Sequence, residues 1–230
     1  MSQGLYIATS EQHSGKSIAV LGLMRAFLGR TPKVGYFRPI IDDFEEGEID
    51  NHINTVKSRF NIDLEVEEMY GFTRSQVLEK YNQKKEGEIY DKVIQQYQAL
   101  QERFDLVIVE GTDFSENNSI IEFDINVLIC KNLGIPVLIV ANASGKKVGE
   151  IAGNLRLAYD TFKVKDVEVL AVVANKVPEE KIKSVALKIE EIMPKYVQQV
   201  LIPDIKSLGN PTIREVAEEL GGKVLFGEEF

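Results

Sequence analysis

The chain has 230 residues, 44% hydrophobic and 27% charged, ordinary proportions for a globular protein with a sizeable core. Its net charge of −9 argues against non-specific binding to nucleic acid or anionic membranes, which need clustered Lys and Arg. The single Cys130 excludes an internal disulfide or a Cys-based zinc site. No apolar run approaches the ~18–20 residues of a membrane span. Met1-Ser2-Gln3 is too short and polar for a signal peptide, so the chain reads as cytoplasmic.

The chain begins with a short apolar run, Leu5-Tyr6-Ile7-Ala8, that reads as a buried strand. A polar loop, Thr9 to Ser14, leads to Gly15-Lys16-Ser17 and then to Ile18, Leu21, Met24 and Leu28 at helical spacing. Strand, polar loop, Gly-Lys-Ser and helix form the layout of a phosphate-binding loop. Backbone N–H groups at a helix N-terminus carry partial positive charge, so a phosphate settles there readily. On this reading Gln12, His13, Ser14, Gly15 and Lys16 cradle phosphate, Lys16 reaches the β- and γ-phosphates, and the Ser17 hydroxyl ligates Mg²⁺. The pattern departs from the usual one at Ser10, where a glycine is expected. The alternative is a helix N-terminus that merely contains Gly-Lys-Ser.

Lys33 to Phe37 reads as a second strand, followed by Arg38-Pro39-Ile40 and an acidic loop running to Asp50. His52, Ile53, Val56 and Phe60 fit one helix face, on which His52 reads as an ordinary helix residue. Residues 64–85 are charged and weakly patterned, consistent with short helices. Ile89, Val93, Tyr97 and Leu100 give a clear helical stripe, which delivers the chain to an apolar strand, Phe104 to Val109, capped by Glu110-Gly111.

The second half alternates regularly. Helices are predicted around Ile121–Leu133, ending at Gly134, over 147–162, from Glu179 to before Pro194, and over Thr212–Leu220. Strands are predicted at Pro136–Val140, Val167–Ala174, Val197–Ile202 and Lys223–Phe226. Strands that are apolar throughout, separated by amphipathic helices, predict an α/β fold: a mostly parallel sheet covered by helices on both faces. Without a repeat or a Gly/Pro-rich linker, residues 1–230 read as one domain.

Ligands of such sheets sit beyond the carboxyl ends of the strands. The polar residues found there are Thr9–Ser17, Arg38, Glu110 to Asp113, Asn142 to Lys146 and Asn175-Lys176, and all should converge on one edge. Glu110 stands where an acid holds Mg²⁺, directly or through water, with Gly111 leaving room for a ligand to approach. The alternative is a strand-end acid facing solvent. Arg38 offers a fork of donors to phosphate or carboxylate, or else a surface ion pair with the acidic loop. Asn175 presents donor and acceptor to a base, or serves as a turn residue. Cys130 lies on an apolar helix face and reads as core.

Together ATSEQHSGKS, YFRPI, the Asp50 segment, DLVIVEGTDF, ANK at 174–176 and LIPDIKSLGNPTIREVAEEL resemble the dethiobiotin-synthetase-like group of P-loop NTPases. EMYGFT, KNLGIPVLIVANASGK and EVAEELGGKVLFGEEF are especially similar to the N-terminal domain of long bacterial phosphate acetyltransferases. The resemblance covers essentially the whole chain, which ends about where a regulatory module would follow in those enzymes. It implies ATP and Mg²⁺ as ligands, with Ser17, Asp50 and Glu110 as the metal-binding residues. Lys16 and Arg38 are the candidate catalytic residues, Arg38 falling where the synthetase has a substrate-activating Lys.

Three positions depart from the synthetase pattern. Thr9 replaces the first loop glycine, Arg38 cannot act as a proton acceptor, and Glu-Gly-Thr-Asp-Phe is bulkier and more acidic than the family's Glu-Gly-Ala-Gly-Gly. The expectation is therefore a nucleotide-binding regulatory or structural module, with a phosphate acetyltransferase catalytic domain in cis and a homodimeric assembly by analogy. The alternative is an ATP-dependent ligase of the dethiobiotin synthetase or cobyrinic acid a,c-diamide synthase type. A partitioning-type ATPase lacks its second loop Lys.

Overall fold

The computed structural model of the chain describes residues 3–9, 11, 14–45, 48–112 and 119–205. Its strands are β1 (Gln3–Thr9), β2 (Val34–Ile41), β3 (Tyr70–Thr73), β4 (Leu106–Glu110), β5 (Val137–Asn142), β6 (Val169–Val177) and β7 (Gln198–Pro203). Its helices are α1 (Lys16–Leu28), α2 (Asn51–Phe60), α3 (Arg74–Asn82), α4 (Glu86–Arg103), α5 (Ser119–Leu133), α6 (Val148–Val164) and α7 (Ile182–Ile192). The expected helix Thr212–Leu220 and strand Lys223–Phe226 lie outside the described residues.

The strands form one parallel sheet in the order β3-β2-β4-β1-β5-β6-β7. All eight residues of β2 and all five of β4 are buried. Successive side chains of a strand point to opposite faces, so a strand buried at every position has both faces of its sheet covered. The covering helices contribute narrow apolar stripes, such as Ile89, Val93, Tyr97 and Leu100 of α4, and Ile151, Leu155, Tyr159 and Phe162 of α6. Cys130 on α5 is buried in this core, and its thiol donates to the Ile135 carbonyl at 3.3 Å. Burial pushes the thiol pKa up.

Two boundaries and one strand differ from the sequence expectation. Arg38 does not follow β2 but lies within it, paired in register with Tyr70 of β3. Asn175 and Lys176 likewise belong to β6, with Asn175 opposite Asn142 of β5. β3 itself falls in the stretch expected to hold only short helices. It is an edge strand of four residues, too short to show a period, and it forms because β2 offers it a free edge.

Chain order places the site. From β1 the chain moves out to β2 and β3, returns to β4 beside β1, then passes over β1 to β5. The direction of winding therefore reverses at β1, and a crevice opens beyond its carboxyl end.

Candidate functional site

The loop after β1 enters α1 through Gly15, whose φ of +78° lies in the left-handed region. A Cβ at this position would stand 2.1 Å from Nδ2 of Asn175. That amide donates to the Ser14 carbonyl at 2.8 Å, and its Oδ1 accepts from the Lys176 N–H at 3.0 Å. On the other side of the loop, Glu11 accepts from the Asn142 N–H at 2.8 Å and pairs with Lys146. Residues from the ends of β5 and β6 thus hold the loop from outside. The first turn of α1 carries no acidic residue and Gly15 no capping side chain, which leaves the positive end of the helix open toward an anion.

Lys16 is nearly fully buried, 2% exposed. Its ammonium donates to the Gly111 carbonyl and lies 3.8 Å from Glu110 Oε1. Parallel register sets Glu110 beside Ile7 of β1, at the end of β4 next to the loop. Its carboxylate gathers the site. Oε2 accepts from the Tyr36 hydroxyl at 2.5 Å, while Oε1 accepts from His52 Nδ1 at 2.8 Å and from the Ser17 hydroxyl at 3.5 Å. Burial alone would raise the Glu110 pKa, but the His52 hydrogen bond and the charges of Lys16 and Arg38 prevail and lower it to about 2. Glu110 is therefore ionised and accepts only, so Nδ1 of His52 is the donor in this contact. Tyr36 is pushed the other way, first by burial and then by the neighbouring Glu110 charge, and stays a neutral donor.

A second ion pair lies beside the first. Arg38 Nη1 donates to both oxygens of Asp50, at 2.7 and 2.6 Å, and both side chains are buried. Asp50 also caps α2 by accepting from the Ile53 N–H at 3.0 Å. Burial works against the Arg38 charge, but Glu110, Tyr36 and Asp50 around it outweigh that and raise its pKa. Two buried cations, Lys16 and Arg38, thus face two carboxylates, Glu110 and Asp50.

Beyond β2, Asp42 to Phe44 and Glu48 to His52 line a cavity of about 480 Å³. The two aspartates at its start are tied down. Asp42 pairs with Arg74 at 2.7 Å, and Asp43 accepts from the backbone and hydroxyl of Ser75 at 3.1 and 2.8 Å.

A family model described as AAA domain, AAA_26, matches residues 3–225. The chain belongs to this family. It is 34% identical over 233 residues to the phosphate acetyltransferase of Nitratidesulfovibrio vulgaris, covering 99% of this chain and 33% of that protein. It is 28% identical over 233 residues to the phosphate acetyltransferase of Synechocystis sp., covering 100% of this chain and 33% of that protein. The chain therefore spans about a third of the length of these curated relatives. Among solved structures it superposes on the signal recognition particle 54 kDa protein of Aeropyrum pernix with bound GDP. The TM-score is 0.54 at 17% identity, covering 96% of this chain and 46% of that one. It also superposes on a Cyanothece McdA–ATP complex at a TM-score of 0.53 and 15% identity, covering 98% and 99% of the two chains. This AAA_26 domain has the fold of the P-loop nucleotide-binding proteins, as its sheet and first loop led us to expect.

Of the residues singled out in the sequence, Ser14, Gly15, Lys16, Ser17, Arg38, Asp50, Glu110 and Asn175 surround the crevice at β1, while Gln12 and His13 lie outside the described residues. Asn175 is committed to the loop carbonyl at Ser14. Gly111 also has a reason within the protein itself. A Cβ there would stand 2.6 Å from Asn126 Oδ1, the atom that accepts from the Thr112 N–H and from the Tyr6 hydroxyl. Sequence reasoning missed Tyr36 and His52. Tyr36 had a signal, because residues i and i+2 of a strand share a face and Arg38 was already singled out. For His52 the signal was Asp50 three residues before Ile53, an N-cap spacing that sets His52 in the first turn of a helix at the sheet edge.

Proposed function

We propose that this AAA_26 domain binds ATP with Mg²⁺ as a regulatory or structural module of a phosphate acetyltransferase-type protein, without acetyl-transfer chemistry of its own. The observation that carries the reading is the burial of Lys16 between Glu110 and the Gly111 carbonyl, at the open end of α1. Lys16 is held there by contacts that a β- or γ-phosphate oxygen can replace, and the N-terminal end of α1 receives the same phosphates.

Ser17 and Glu110 suit Mg²⁺, since they offer a hydroxyl and an ionised carboxylate 3.5 Å apart, both hard oxygen donors. Among the described residues no group of three or more His, Cys, Asp and Glu forms a metal cluster. This accords with a cation held by one or two protein oxygens and completed by the nucleotide. Held there, Mg²⁺ would supply positive charge to neutralise the phosphates. Asp50 stands next to this pair through Arg38 and serves the metal through the same charge network.

The ligase alternative is disfavoured by Arg38. It occupies the position of an activating Lys, is buried against Asp50, and cannot take a proton. We further propose a cytoplasmic homodimer by analogy, and an acetyltransferase catalytic domain in cis because the similarity spans a third of the longer relatives. The test is calorimetric titration with ATP and Mg²⁺, with Lys16→Ala as control, followed by assays for phosphate release. Micromolar binding lost in Lys16→Ala, without turnover of dethiobiotin-type substrates, is expected. Absence of binding to ATP, ADP and GTP overturns the nucleotide reading, and substrate-dependent turnover overturns the module reading in favour of the ligase.

A further inference from the structure

The His52 imidazole stands on both protein oxygens that suit Mg²⁺. Its Nδ1 lies 2.8 Å from Glu110 Oε1 and 3.1 Å from Ser17 Oγ. An N–H donor at that point and a divalent cation seek the same lone pairs, so one displaces the other. The Lys16 ammonium approaches Glu110 Oε1 at 3.8 Å, and Tyr36 uses the other oxygen, so His52 is the tighter neighbour at Oε1.

His52 is also free to leave. Its side chain is 29% exposed, whereas that of Glu110 is 1% exposed. It is the second residue of α2, directly after the loop that lines the cavity of about 480 Å³, and its own side chain is part of that lining. With His52 released, the cap Asp50 still ties the N-terminus of α2 to Arg38 of β2.

We infer that His52 is a metal-responsive latch, whose Nδ1–H holds Ser17 and Glu110 together until a divalent cation displaces it and turns the ring toward the cavity lined by Phe44, Glu48 and Ile49. The inference rests on the nucleotide reading above and deepens it. His52 becomes the positioning residue through which metal loading reaches the loop beside the phosphate site.

The test is calorimetry on the full chain with ADP, once with Mg²⁺ and once with EDTA, in wild type, His52→Ala and His52→Asn. The quantity read is the factor by which Mg²⁺ tightens ADP binding. In His52→Ala this factor should rise roughly tenfold, the size of a charge-assisted hydrogen bond that no longer has to be displaced. His52→Asn keeps an N–H donor at similar reach and should return it toward wild type. In parallel, the imidazole ¹⁵N resonance of His52, assigned against the variants because the chain has 2 histidines, should move with ADP and Mg²⁺ and stay with ADP and EDTA. A factor in His52→Ala equal to or below wild type, or an unmoved resonance, overturns the latch while ADP binding still upholds the nucleotide site. No ADP binding in either condition overturns both.

Discussion

The side-chain amide of Asn175 fills the space beside Gly15 in which any Cβ would have to stand. The last residues of β6 thereby set the conformation of a loop 160 positions away in sequence, and the loop's carbonyl at Ser14 is held by the same amide. Gly15→Ala combines this clash with a left-handed backbone, which costs about 1–2 kcal/mol for a residue with a Cβ. It should lower the melting temperature and weaken nucleotide binding at least tenfold. Adding Asn175→Ala should recover part of the stability and little of the binding, because the clash is relieved while φ at +78° and the lost tether remain.

Glu110 sets an acid limit on stability. Its pKa falls from the ordinary 4.5 to about 2 on folding. A depressed carboxyl pKa stabilises the fold above the unfolded value, and that contribution is lost as pH drops from 4.5 toward 2. The loss amounts to roughly 3 kcal/mol at about 1.4 kcal/mol per unit. Urea unfolding from pH 6 to pH 2.5 should show this slope in wild type and a shallower one in Glu110→Gln. The variant should also be less stable at pH 7, since Lys16 stays buried without its counter-ion.

Removing one partner of the Arg38–Asp50 pair leaves a buried charge alone, which costs about 3–5 kcal/mol. Arg38→Ala and Asp50→Ala should each approach that figure, Asp50→Ala also losing the α2 cap. The double variant should be less destabilised than the sum of the two. A purely additive result would mean that the pair contributes nothing beyond packing.

Glu11 offers a contrasting case. Its pairing with Lys146 is partly exposed, so Glu11→Ala should change stability by less than about 1 kcal/mol. It nonetheless releases the loop from the Asn142 N–H, and an unheld loop must be ordered by the ligand. Nucleotide affinity should fall several-fold, and amide exchange should quicken between Glu11 and Lys16.

Strands β1, β4 and β5 were legible in the sequence because unbroken apolar runs between helices have few other readings. The crevice at β1 followed from them. The strand ends were not legible. Arg38 and Asn175 look like loop residues in a one-dimensional pattern, yet each remains in its strand because a distant side chain or carbonyl, Asp50 or Ser14, satisfies it. Local pattern holds no record of such partners. β3 was invisible for a related reason, since its four residues, Gly71 among them, pair only because β2 has an edge to offer. His52 was read as an ordinary helix residue because its neighbours Ser17 and Glu110 are 35 and 58 positions away.

The seclusion of Cys130 makes this protein a natural blank for thiol chemistry. It is the chain's single cysteine, fully buried on α5 with its thiol hydrogen-bonded to a carbonyl and its ionisation suppressed. Maleimide reagents should pass over the native fold. A cysteine introduced at exposed Asn54, on the outer side of α2, would then carry a fluorophore or spin label at one defined site, with the wild-type background left intact.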